Sequence, residues 1–175
     1  MNITKQQLLV ITLILAALLV VAIGVSIWAL FFRGGGTPMM PDYPPQETEK
    51  NQKPLEGDDG DKLDSPEGGG AINVTYSAQV TVDLAEGKVF LLYANPKVST
   101  QNVALLLMID GRVIAKSELI TPGHGVDTLG LEEYAKEWLM AGGYDGELVI
   151  RAYHPKTGEK AMVDTRGHVT VTVAE

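Results

Sequence analysis

The sequence predicts a mostly β protein in three parts: an N-terminal single transmembrane helix, a disordered linker, and a C-terminal immunoglobulin-like β-sandwich with one short inserted helix. Three observations predict this. Residues 8–32 are 25 positions interrupted only by Thr12, Gly24 and Ser26. Residues 34–71 are dominated by Gly, Pro and acidic side chains. Residues 72–175 alternate apolar and polar positions between turn signals spaced about ten residues apart, the pattern of short half-buried strands.

The apolar run comes first. As a helix rising 1.5 Å per residue it spans roughly 37 Å, enough for a hydrocarbon core of about 30 Å with some tilt. A cleaved signal peptide has a shorter apolar region of about 7 to 15 residues and a small-residue cleavage site. This run instead ends in Trp28, Ala29, Leu30, Phe31, Phe32 and Arg33. Trp28, Phe31 and Phe32 fit an interfacial aromatic belt with Arg33 as its cationic anchor, so the reading is an uncleaved signal-anchor whose partner is the lipid bilayer. Lys5 and the α-amine on one flank outweigh Arg33 on the other, which places the N-terminus in the cytoplasm and the C-terminal domain outside the cell. Ala22, Ser26 and Ala29 form a small-residue stripe that would also permit close helix pairing.

From Gly34 to Ala71 the chain reads as spacer. It opens with Gly34, Gly35 and Gly36, closes with Gly68, Gly69 and Gly70, and carries Pro38, Pro41, Pro44, Pro45, Pro54 and Pro66 between them. Its few large apolar side chains do not offset the entropy of ordering. Fully flexible, such a spacer would span roughly 35 Å root-mean-square. Asp58, Asp59, Gly60, Asp61 and Asp64 lack the ligand spacing of an EF-hand loop and read as a solvated acidic stretch.

Residues 72–175 are enough for one self-supporting core. Val74, Tyr76, Ala78, Val80 and Val82 alternate with polar residues as a strand buried on one face, and Lys88–Ala94 is a second, densely apolar strand. Val103–Ile109 is a third, apolar throughout, and Asp110–Gly111 is a hairpin turn returning into Val113–Ser117. Leu131, Tyr134, Ala135, Trp138 and Leu139 have helical spacing, with Gly142 and Gly143 as its C-terminal stop. Glu147–Tyr153 then meets Lys160–Asp164 in a hairpin. Arg166 and Gly167 suggest a bulge before the last strand through Val169, Val171 and Val173.

Charge and composition restrict the chemistry. Residues 1–33 hold two bases and no acid, 34–71 hold nine acids and three bases, and 72–175 hold thirteen acids and nine bases. The net values of +2, −6 and −4 leave no basic face for neutralising phosphates, so no nucleic-acid partner is expected. The absence of cysteine removes disulfides, thiol nucleophiles and thiolate metal sites. His124, His154 and His168 share no ligand spacing, and Ser77, Ser99 and Ser117 lack a nucleophile-elbow setting. The expectation is therefore no catalytic residue, no metal and no cofactor. Asn73, Val74 and Thr75 match a glycosylation acceptor pattern, as do Asn2, Ile3 and Thr4. Tyr144 and Tyr153 are the candidate ligand contacts, and Tyr144 also suits the corner-bracing tyrosine of sandwich folds.

The hairpin around Asp110 and Gly111, and the run Gly142, Gly143, Tyr144, Asp145, Gly146 leading to Tyr153, Pro155, Thr157, Gly158, Glu159 and Lys160, carry a resemblance. It is to small membrane-anchored surface proteins of Gram-positive bacteria with one immunoglobulin-like domain. The resemblance implies adhesion, assembly or scaffolding with a protein or glycan partner at the cell surface. The reading is a single-pass membrane protein displaying a non-enzymatic domain outside the cell. Two alternatives stay open: a bitopic component of a secretion, conjugation or envelope assembly whose helix pairs with partners, and a carbohydrate-binding module.

Overall fold

The computed structural model describes residues 18, 19, 21, 45, 47–64 and 70–175. The chain divides into two units, Met1–Met40 and Pro41–Glu175. In the first, Leu18, Leu19 and Val21 are helical. The rest of the expected span, with its flanks Lys5, Trp28, Phe31, Phe32 and Arg33, lies outside the described residues, among which no helix is long and apolar enough to cross a membrane.

Among the described residues of the second unit there are nine strands. They are β1 (Lys53–Pro54), β2 (Thr75–Tyr76), β3 (Gln79–Asp83), β4 (Lys88–Asn95), β5 (Asn102–Ile109), β6 (Arg112–Lys116), β7 (His124–Gly130), β8 (Gly142–Tyr153) and β9 (Thr165–Ala174). Their hydrogen-bonded order is β1-β7-β4-β3-β9-β8-β5-β6, with β2 also on β4. β3 joins the two halves, pairing antiparallel with β4 on one side and parallel with β9 on the other. The halves β1-β7-β4 and β9-β8-β5-β6 send their inward residues into one apolar cluster, so they face each other as two layers. This is immunoglobulin-like strand order, with β3, β4 and β7 in the places of strands A, B and E, and β5, β6, β8 and β9 in those of C, C′, F and G.

Strand parity explains the core. On β4, Val89, Leu91 and Tyr93 are buried while Lys88, Phe90 and Leu92 are exposed. On β9, Val169, Val171 and Val173 point inward and His168, Thr170 and Thr172 outward. Leu105, Leu107, Ile109, Leu148 and Ile150 complete the centre, and each such side chain is worth roughly 1.5–3 kcal/mol when removed from water. The Asp110–Gly111 turn forms as expected, with φ of 50° and 72°, the left-handed pair that a two-residue hairpin requires.

Several expectations are corrected. The helix over 131–139 is a single 3-10 turn, Glu133–Glu137. Leu131 is drawn into a bridge with Ala115 and the Glu132 N–H donates to the Ile114 carbonyl, so sheet closure consumes the residues a longer helix would use. Leu131, Ala135 and Leu139 still reach the core. Gly142 and Gly143 open β8 rather than cap a helix. Lys160–Asp164 is not a strand; β8 pairs with β9, and residues 154–164 loop out with one bridge, Tyr153 to Lys160. The β8–β9 register runs unbroken past Arg166 and Gly167, so no bulge sits there.

The spacer expected over 34–71 is not free throughout. Residues 53 and 54 form β1, which pairs with Gly125 and His124 of β7, and Thr48 bridges Leu119. In this fold the position beside strand E belongs to strand D, which usually comes from the chain between C and E. Here Ser117–Gly123 supplies no strand, and the N-terminal segment takes that place.

Candidate interaction surface

The candidate site lies on the outward face of β4 and β7. A bulge between Phe90 and Tyr93 shifts the β4–β7 register, and the even positions of β4 then place Phe90 and Leu92 in solvent, Leu92 at 65% exposure. A groove of about 440 Å³ opens beside them, walled by Leu55, Tyr76, Leu92, Ala94 and Val126. Gly125 makes this geometry possible: a Cβ there would stand 2.6 Å from the Tyr93 carbonyl oxygen and 3.1 Å from a Leu55 methyl. The Lys53 ammonium hydrogen-bonds the Asp127 carboxylate at the rim. That bond holds the Asp127 carboxyl below the usual carboxylate range, opposed by desolvation and aided by the Lys53 charge and the Thr128 hydroxyl. The sign follows: this link is intact above the ordinary aspartate range near 3.9 and is lost as pH falls below it.

Directly beneath, the Tyr93 ring is 3% exposed and its hydroxyl has no hydrogen-bond partner among the described residues. Burial alone pushes this phenol far above its ordinary pKa.

Asn95, Ser99 and Ser117, also buried, hydrogen-bond backbone, while Asn95 Oδ1 and Trp138 Nε1 have no partner among the described residues. Asn95 Nδ2 donates to the carbonyls of Gln101 and Ile120, both at 3.1 Å. Ser99 Oγ accepts the Asn73 N–H and donates to the Asn73 carbonyl, at 2.9 and 3.1 Å. Ser117 Oγ accepts the Leu105 N–H and donates to the Glu118 carbonyl, both at 2.8 Å. Ser77 Oγ bonds the backbone of Gln79. The histidines are equally occupied and far apart in the topology. His124 Nδ1 stands 2.9 Å from Thr121 Oγ1, His154 Nδ1 accepts the N–H groups of Lys156 and Thr157, and His168 faces Asp145 at 3.6 Å. Among the described residues no three histidine or carboxylate side chains gather as a metal site.

The structure places the two tyrosines expected to contact a ligand as follows. Tyr153 is 2% exposed, within the sheet. The Tyr144 hydroxyl donates to the Met140 carbonyl at 2.9 Å and accepts the Met140 N–H at 3.2 Å, bracing the corner before β8. Tyr134 is half-exposed, its hydroxyl donating to the Val113 carbonyl. The Arg112 guanidinium lies over the Trp138 ring, 5.2 Å from its centroid. The Leu92 groove was not among the sequence candidates. Its signal was the run Val89, Phe90, Leu91, Leu92, Tyr93, apolar on both parities where a half-buried strand needs only one.

No protein-family model matches the chain, and no curated protein does. Solved structures match only in part. AggA, the major subunit of aggregative adherence fimbriae type I from Escherichia coli, matches at 12% identity and a TM-score of 0.31, over 60% of this chain and 95% of that one. The periplasmic chaperone SfaE matches at 13% identity and a TM-score of 0.31, over 58% of this chain and 56% of that one. The CooA pilin subunit from enterotoxigenic Escherichia coli matches at 11% identity and a TM-score of 0.25, over 59% and 99%. The assignment of the fold rests on strand order and register.

Proposed function

We propose that this chain is a single-pass membrane protein that displays its immunoglobulin-like domain outside the cell, where the outward face of β4 binds a protein partner at the surface without enzymatic chemistry. The observation that carries the reading is the exposed apolar pair Phe90 and Leu92 beside the Leu55 groove, together with Asn95, Ser99 and Ser117 bonded to backbone. Side chains arranged as Asn95, Ser99 and Ser117 are fix turns and strand ends; they do not set a nucleophile beside a base. Exposed apolar patches on small domains mark places where another molecule docks. The membrane half of the reading is supported by the Leu8–Phe32 run and the charge difference between its flanks.

The chain has no cysteine, so one introduced thiol reports topology. Met162 is fully exposed, and Met162→Cys in the intact protein should react with a membrane-impermeant maleimide on whole cells. Labelling only after lysis would invert the topology and end the surface reading. The docking face is tested separately: purified residues 41–175 added to cells of the same strain should adhere, and Leu92→Asp should abolish adhesion while Met162→Asp leaves it intact. Equal adhesion by all three would remove the β4 face from the reading.

A further inference from the structure

Residues 47–64 form a strap fastened to the sandwich without entering its core. The Leu119 N–H donates to the Glu47 carbonyl at 3.1 Å and the Glu49 N–H to the Leu119 carbonyl at 2.8 Å. The Glu49 carboxylate, 8% exposed, accepts the N–H groups of Asn51 and Glu118 at 3.0 and 2.9 Å. Gln52 Oε1 accepts the Thr121 N–H, β1 adds its two residues to β7, and the Leu55 and Leu63 N–H groups donate to Gly123 and Val98. No member of the apolar cluster comes from this segment; among the described residues its first contributor is Ile72. The strap is thus held by separate hydrogen bonds along a rim, which tension from its N-terminal end breaks in sequence.

The sandwich is loaded differently. β3 and β9 run parallel through five pairs, Gln79–Thr170 to Asp83–Ala174. Tension between the start of β3 and the end of β9 shears these pairs together, across a packed core.

We propose that the strap is a detachable length of tether: tension on the exported domain frees residues 47–64 while the sandwich stays folded, and the domain's reach grows. Its use as a reach adjuster rests on the proposed membrane anchor, whereas its separate release does not. Under tension the 18 freed residues add at most about 65 Å of contour.

The test is single-molecule pulling on the full chain in a lipid nanodisc, by a C-terminal handle, with a second arm holding the chain in detergent by handles at both termini. Two events are expected in both arms, a low-force step of about 65 Å or less and a later, larger unfolding. Glu49→Gln should lower or erase the first and leave the second unchanged. A single event releasing strap and sandwich together, or a Glu49→Gln variant that weakens the main event, would overturn the proposal. Loss of the chain from the nanodisc before either event, with two events kept in the detergent arm, would sink the membrane reading and leave the strap standing.

Discussion

Tyr93→Phe isolates the most consequential polar atom in the core. The hydroxyl is buried under the candidate docking face and has no partner among the described residues, so folding strips it of water and returns no hydrogen bond. Such a group costs roughly 1–3 kcal/mol, and the small void left by its removal offsets part of that. The expected result is a domain more stable by about 1 kcal/mol at neutral pH, the reverse of the usual effect of deleting a tyrosine hydroxyl. The alkaline limb adds a second signature. Burial raises the folded phenol above its unfolded value of about 10, so beyond pH 10 the unfolded chain loses a proton that the folded chain keeps. Folding stability then falls by up to about 1.4 kcal/mol per pH unit, and by pH 11.5 the original protein should trail the variant by about 2 kcal/mol more than at neutrality. Tyr134 is also raised, by desolvation first and then by Glu132, but it is present in both proteins and cancels. Urea unfolding of residues 41–175 between pH 7 and 11.5 measures the difference. A variant less stable by more than about 0.5 kcal/mol at pH 7, or a difference that stays flat to pH 11.5, would refute the reasoning.

Three further outcomes follow from the same geometry. Leu91→Ala should cost about 2–5 kcal/mol and its neighbour Leu92→Ser less than about 0.5 kcal/mol, by urea titration, because adjacent β4 residues face opposite ways. Cutting the chain back to residues 72–175 removes β1 and bares the β7 edge; that fragment should melt below residues 41–175 and associate on concentration, as read by calorimetry and light scattering. Trp138→Ala should cost about 2–4 kcal/mol in thermal unfolding, since the ring packs on the core beneath Arg112, and a neutral result would place it on the surface instead.

What the sequence disclosed depends on how local the cause is. The Asp110–Gly111 turn was legible because two residues alone set its backbone demand, and β3 and β9 were legible because one buried face imposes strict alternation. β7 was not, because the bulge opposite it breaks the period: Val126 and Leu129 are three apart, yet both are buried. β1 was invisible for a stronger reason. Lys53 and Pro54 have poor strand propensity and are extended only because the β7 edge and the Gly125 gap receive them. The helical spacing at 131–139 was real, but the bridge to Ala115 starts the segment as sheet and leaves one turn. Tyr153 was named as a ligand contact because an aromatic strand residue reads alike from either face; its burial comes from its neighbours in space.

The two layers treat their outward faces differently, and this contrast is the strongest argument for a docking role on β4. In the β9-β8-β5-β6 layer the outward positions Ala104, Leu106, Val149 and Tyr153 are apolar, yet each is at most 7% exposed. Lys116, Arg151 and Arg166 flank them in register, and long cationic side chains cover apolar surface with their stems while their heads stay wet. Arg151 and Lys160 both pair with Asp164, which fastens the 154–164 excursion to that layer. The chain has thus shielded the apolar outer surface of one layer with its own residues. On β4 the outward positions Phe90 and Leu92 are equally apolar and remain exposed, although the strap passes close enough for Leu55 to settle against Gly125. A segment that reaches the edge of an apolar face and stops there leaves Phe90 and Leu92 exposed among the described residues, as the proposed docking role requires, and a single charge at Leu92 is the smallest change that would deny it.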